Sequence, residues 1–144
     1  MTYTIERQTE MSDELSAFFY PEMVKLNELF NGDYKVGKSD LKSMVEKGVF
    51  LVCRRDGQIT GFHLSWLFRS PLDVSRRVLQ QQLFYVGDNA GRSAYLLFKE
   101  FIDFGKKQAD YILTTIGSHT NIKPSTIKRW GFNEIETLYS MEIK

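Results

Sequence analysis

At 144 residues the chain has room for one domain with a sizeable core and is short for two. Apolar residues make up 42%, charged residues 26% and aromatics 14%, a composition that excludes disorder. Nineteen basic against eighteen acidic residues leave a formal charge of +1, so charge indicates neither nucleic acid nor an anionic membrane as a partner. The one cysteine, Cys53, excludes an internal disulfide and cannot build a zinc site by itself. It lies in an apolar run and reads as a buried small hydrophobe. No basic segment followed by an apolar run opens the sequence, and no window approaches the roughly 20 apolar residues of a membrane span, so a cytoplasmic protein is expected.

Residues 3–6 alternate apolar and polar as a short strand does. Residues 13–19 and 22–30 carry apolar positions at three- and four-residue steps and read as two helical pieces, with Pro21 placed to begin the second. Asn31-Gly32-Asp33 stops that pattern, and Ser39 or Asp40 caps a further helix through Lys47, ended by Gly48. The period then changes. Residues 49–53 and 59–68 are β-rich runs about an Asp-Gly turn, a hairpin signal, and 78–86 reads as another strand with glutamines interleaved. After the break at residues 87–91, Ala94, Leu97, Phe98, Phe101, Ile102 and Gly105 share one helical face. Residues 111–116 form a strand, 124–130 a short helix capped by Gly131, and 132–143 one or two closing strands. The order predicts a mixed sheet with helices on its faces, an α/β (α+β) domain over residues 1–144.

The informative junction is Leu83-Phe84-Tyr85-Val86-Gly87-Asp88-Asn89-Ala90-Gly91-Arg92-Ser93-Ala94. A strand ends, a loop of small residues follows and an amphipathic helix begins. Small residues let backbone approach a ligand, and the free first N–H groups of a helix with its dipole suit an anion such as phosphate. The spacing fits neither the lysine-bearing P-loop nor the three-glycine dinucleotide fingerprint, and an ordinary tight connection accounts for it equally well.

Taken with its surroundings, this junction resembles the GNAT acyltransferase superfamily over nearly the whole chain. That family has Arg/Gln-x-x-Gly-x-Gly/Ala between a strand and a helix with a leucine pair. Placing Gly91 on the central glycine puts Asp88 on the Arg/Gln position, Ser93 on the last small residue, and Leu96-Leu97 on the leucine pair. Trp130-Gly131-Phe132 resembles the family's late Gly-Phe, and Asp56-Gly57-Gln58-Ile59-Thr60-Gly61-Phe62 its D-G-x-I-V-G-F hairpin. Tyr20-Pro21-Glu22-Met23 and Tyr85-Val86 are similar to segments of small GNAT-like proteins of bacteriophages, which would place the protein in a host cytoplasm. The resemblance implies a mostly antiparallel central sheet, splayed between its fourth and fifth strands around acetyl-CoA. Backbone of Phe84, Tyr85 and Val86 would hold the pantetheine arm, and the amides of Gly91, Arg92, Ser93 and Ala94 the pyrophosphate. An amine would attack the thioester directly in a ternary complex, with acetyl-CoA as co-substrate and no metal. The acceptor would be a small molecule, a protein or a modified base, with a homodimer compatible with the family.

The chain departs from the family pattern in three places. Asp88 replaces a basic or amide residue, Ile127 stands where a tyrosine often acts as acid, and Gln80, Gln81 and Gln82 occupy a stretch that often carries a carboxylate base. The resemblance leaves His119, in the loop after the fifth strand, as an acid or base. It leaves Glu22, in a helical region bordering the substrate cleft, as the base, although a carboxylate at a helix start also serves the dipole. His63 reads as a hydrogen-bonded core histidine, and Trp66 and Phe68 as core or as acceptor-pocket lining. Arg76-Arg77 and Lys106-Lys107 read as solvated charge. Two functions follow: an active N-acetyltransferase, or a non-catalytic binding or virion-associated module on the same fold.

Overall fold

The computed structural model describes residues 1–29, 38–88, 90–115, 122–135 and 141. Five strands, β1 (Tyr3–Gln8), β2 (Val49–Arg55), β3 (Gln58–Arg69), β4 (Arg77–Val86) and β5 (Tyr111–Leu113), form one sheet in the order of the chain. The first four pair antiparallel. β4 and β5 pair parallel, because the helix α3 (Ser93–Gln108) carries the chain back across the sheet between them. The expected mixed, mostly antiparallel α/β sheet flanked by helices is therefore what the chain adopts.

Strand alternation assigns the two faces. Phe50, Val52, Phe62 and Leu64 point to one side and pack against α1 (Asp13–Leu29) and α2 (Lys38–Lys47). Val49, Leu51, Cys53, Leu79 and Phe84 point to the other and meet α3 through Ala94, Leu97, Phe98, Phe101 and Ile102, the face expected for that helix. The short helix α4 (Pro124–Arg129) adds Ile127 to this second core. The β2–β3 connection is the two-residue turn Asp56-Gly57, with φ of 52° and 85°, the double left-handed turn that matches strand twist. No helix among the described residues is long and apolar enough to cross a membrane.

Four expectations are corrected. The two helical pieces about Pro21 are one helix, with the proline inside it. An interior proline costs about 3 kcal/mol. Leu15, Phe19 and Met23, at four-residue steps across it, are all buried on the same core, and each such side chain contributes about 1.5–3 kcal/mol. Packing wins over the local rule. The helix α2 starts at Lys38, so Ser39 and Asp40 lie within its first turn. The strand expected over 111–116 stops at Leu113, and Ile116 lies outside the described residues. Of the expected closing strands, residues 132–135 carry no strand and most of the rest lies outside the described residues.

Candidate active site

The segment after β4 is fastened mainly by its own backbone. Gly87 N–H donates to the Thr60 carbonyl at 2.9 Å, Ala90 N–H to Gly87 at 3.2 Å, and Ser93 N–H to Ala90 at 3.0 Å. The Ser93 side chain is fully buried, donating from Oγ to the Ala90 carbonyl at 2.6 Å and meeting the Thr60 hydroxyl at 2.7 Å. It pins the start of α3 to β3. Gly91 has φ of +57°, the left-handed region, and a Cβ built there would collide with the Tyr3 hydroxyl and come within 3.2 Å of Arg55 Nη1. The demand for glycine is thus set from the β1 side. The same Tyr3 hydroxyl accepts the Arg92 N–H at 3.2 Å.

Two of the four amides expected to face a phosphate, those of Arg92 and Ser93, are therefore used within the protein. Among the described residues no hydrogen bond takes up the amides of Gly91, Ala94 or Tyr95. These open beside a cleft of about 610 Å³. One wall is Val86, Gly87, Asp88, Ala90 and Gly91, with Ala94 and Tyr95 from the first turn of α3. The other is Lys123, Ser125, Thr126, Arg129 and Trp130 from α4 and its approach. Lys123 and Arg129 outnumber Asp88, so the lining has a cationic surplus. Trp130 is held in place because α4 ends in a Schellman motif: Phe132 N–H donates to the Ile127 carbonyl and Gly131 N–H to Lys128. Its ring stacks on Phe98 at 5.4 Å and meets Tyr95 at 5.3 Å, while the Arg92 guanidinium lies over Tyr95. A second cleft of about 470 Å³ adjoins, sharing Gly87 and Ala90 and bounded by Phe18 and the β2–β3 hairpin.

On the α1 face of β4 stands a different pair. Glu22 lies in the middle of α1 rather than at a helix start, so the dipole supplies no reason for its charge. Its side chain is 13% exposed, Oε1 lies 3.3 Å from the exposed Lys25 ammonium, and the buried Oε2 accepts no hydrogen bond from any described residue. Tyr85 packs its ring on Phe62 and Phe18. Burial pushes the Tyr85 hydroxyl pKa up, and the Glu22 carboxylate beside it, with its charge and that of Asp88, pushes it further. The phenol stays protonated at neutral pH and can only donate toward the carboxylate.

His63 is fully buried in the α3-side core, 4.3 Å from the Phe101 ring and 5.0 Å from Phe84, with Nε2 at 3.2 Å from Gln81 Oε1. Burial drives its pKa down to about 3, although the Gln81 hydrogen bond opposes this. The native state keeps it neutral, whereas the unfolded chain protonates near 6.5. Stability is then fully present above about pH 6.5 and is lost as pH falls toward 3, by at most about 1.4 kcal/mol per pH unit. Urea unfolding should show wild type losing stability relative to His63→Leu at up to that slope as pH falls below 6.5. A gap independent of pH would show that the imidazole is protonated in the native state.

Of the candidates, Val86, Gly91 and Ala94 line the cleft, and the Arg92 guanidinium lies over Tyr95 of its wall. Ser93 and Phe84 are buried within the protein. Tyr85 turns to α1, and Glu22 meets it there. His119 and Asn89 lie outside the described residues. Of the positions that depart from the family pattern, Asp88 lines the cleft, Ile127 is core, and Gln82 is exposed on β4. Cys53 is buried in the apolar core, while Trp66 is 49% exposed and Phe68 partly buried. Arg76, Arg77, Lys106 and Lys107 are exposed. No cluster of His, Cys, Asp or Glu suited to a metal occurs among the described residues. The sequence reading missed Lys123, Arg129 and the side chain of Tyr85. Period-two alternation, which puts Leu83 and Tyr85 on one face, was the signal available for the last.

No family model matches the chain, and no curated protein matches it in sequence. Solved structures do match. Glucosamine-6-phosphate N-acetyltransferase from Arabidopsis thaliana is similar over 100% of both chains at 9% identity and a TM-score of 0.69. An aminoglycoside acetyltransferase from an uncultured soil metagenomic sample matches over 100% of both at 13% identity and a TM-score of 0.68. A ribosomal-protein-alanine N-acetyltransferase from Brucella melitensis biovar Abortus 2308 matches over 99% of this chain and 100% of its own at 14% identity and a TM-score of 0.67. At these identities the likeness shows the fold, which is the one these acetyltransferases share.

Proposed function

We propose that residues 1–144 form one acetyl-CoA-dependent N-acetyltransferase domain of the GNAT superfamily, which moves an acetyl group to a primary amine by direct attack. The observation that carries this reading is the cleft at the end of β4, where a strand edge unpaired among the described residues, a left-handed glycine and a helix N-terminus meet opposite two cationic side chains. The residues fit the cofactor. The amides of Gly91, Ala94 and Tyr95, with Lys123 and Arg129, suit a pyrophosphate. The backbone groups of Phe84, Tyr85 and Val86 that point away from β3 suit the amides of an extended pantetheine arm. When bound, acetyl-CoA supplies a thioester carbonyl open to attack by an amine.

The acceptor reaches this carbonyl from the α1 side, where Glu22 takes the ammonium proton on Oε2 and leaves the nitrogen lone pair free. Tyr85, its phenol kept protonated beside that carboxylate, is placed to orient it. His119, which the resemblance leaves as an acid or base, would serve here as donor to the leaving thiolate. A second reading, a binding module without turnover, is favoured by Asp88 in the cleft and by Ile127 in the core where the resembling enzymes often carry a tyrosine. Calorimetric titration with acetyl-CoA tests the first reading and is expected to show saturable one-to-one binding. Absence of heat at millimolar acetyl-CoA would overturn it. Binding without turnover across a panel of small amines, peptides and modified nucleosides would favour the second.

A further inference from the structure

Among the described residues β4 and β5 pair through three residue pairs, Val78, Leu79 and Gln80 against Tyr111, Ile112 and Leu113. Beyond that point the backbone ladder ends, and the side chain of the next residue, Gln81, makes the crossing instead. Its Oε1 accepts the Thr114 hydroxyl at 2.7 Å, and its Nε2 donates to the Thr115 carbonyl at 3.0 Å. On the other flank Oε1 lies 3.2 Å from Nε2 of the buried His63 on β3. A neutral imidazole donating from Nε2 is consistent with its Nδ1, which is buried and has no partner among the described residues. With two donors on the oxygen and one carbonyl on the nitrogen, the carboxamide has a single satisfied orientation. Two strands and the segment after β5 thus converge on one amide.

The sheet is irregular at the same place. Leu64 pairs with Leu83 and Ser65 with Gln81, so Gln82 has no partner across β3. Such a bulge bends and twists the strand that carries it. A bulge alone leaves the new direction of β4 loosely fixed, because it removes a ladder bond and supplies none. The Gln81 carboxamide ties the bent strand to Thr114 and Thr115 on one side and to His63 on the other.

We infer that Gln81 is a positioning residue that fixes where β4 and β5 part, and with it the width of the slot that receives the acyl-bearing arm of the cofactor. The inference rests on the acetyltransferase reading for what enters the slot, and on the three hydrogen bonds for what fixes the place where the paired strands end. Gln81→Met keeps the length and volume of the side chain and removes all three bonds. Thr114→Val removes one donor and leaves the rest, and it serves if the first variant fails to fold.

The test is the dissociation constant for acetyl-CoA, measured calorimetrically well below each protein's own Tm. Gln81→Met is expected to bind at least about tenfold more weakly, the usual cost of losing a group that orients a binding residue from behind, and Thr114→Val, which loses one bond of the three, about threefold. A merely structural role would lower Tm and leave the constant unmoved at low temperature. Constants within about twofold of wild type in every variant that folds would overturn the inference while leaving the cofactor reading intact. Absence of binding by wild type would overturn both, so the two failures are told apart by the wild-type titration alone.

Discussion

Glu22→Gln is expected to slow acetyl transfer by about 10²–10⁴-fold, the usual worth of a general base, while acetyl-CoA affinity changes by less than about threefold. Glutamine has the same shape and suits the same place in α1, so the packing of Phe19 and Met23 on either side is kept. What is lost is an atom able to take a proton. A second readout separates this from disruption. Oε2 is a buried carboxylate oxygen with no hydrogen bond from any described residue, an arrangement that costs stability. Replacing it by a neutral amide should therefore raise stability by about 0.5–2 kcal/mol, as removal of a functional strain commonly does. A protein that is slower and more stable is the expected pair of results. Lys25→Ala is the control: that ammonium is exposed and its pairing with Glu22 is worth about 0–1 kcal/mol at most, so the rate should hardly move. If Glu22→Gln turned over a true acceptor at the wild-type rate, the proton would leave by another route and Glu22 would have no catalytic part.

Much of this arrangement is legible in the residues themselves, and what is not has a common cause. The apolar face of α3, the Asp56-Gly57 hairpin and the β4-to-α3 junction are written in short-range period and turn chemistry, and the fold follows them. Pro21 misleads because a local rule about proline competes with Leu15, Phe19 and Met23, which anchor both halves of one helix on the same sheet face. Gln81 reads as an amide unable to act as a base. Its bonds to Thr114 and Thr115 exist only because α3 returns the chain parallel to β4, some thirty residues later. Lys123 and Arg129 escape for the same reason, since α4 faces the start of α3 only in the assembled core. Glycine 91 is the opposite case. The sequence points to the right residue, and the structure changes the reason: the obstruction is Tyr3 on β1, not a ligand.

That change of reason alters what Gly91 substitutions should do. Gly91→Glu is expected to abolish detectable acetyl-CoA binding in a protein that still folds, and Gly91→Ala to weaken it by about tenfold or more. A side chain in the left-handed region costs about 1–2 kcal/mol, small enough for the fold to survive. The Cβ must also displace the Tyr3 hydroxyl, which accepts the Arg92 amide, so the first turn of α3 moves with it. The amides of Gly91, Ala94 and Tyr95 then lose the common direction that suits an anion. Glutamate adds a carboxylate near the Asp88 side of the loop, against the cationic surplus of Lys123 and Arg129. The role of Tyr3 makes this specific. Tyr3→Phe removes the hydroxyl in the way, so Gly91→Ala combined with Tyr3→Phe should recover part of the affinity that Gly91→Ala alone loses. Such recovery is the non-additivity of two residues in contact. Titration of the two single variants and the double variant, each checked by circular dichroism and thermal melting, decides it. Wild-type affinity in a folded Gly91→Glu would place the cofactor elsewhere, and strict additivity in the double variant would show that Tyr3 is not what Gly91 must clear.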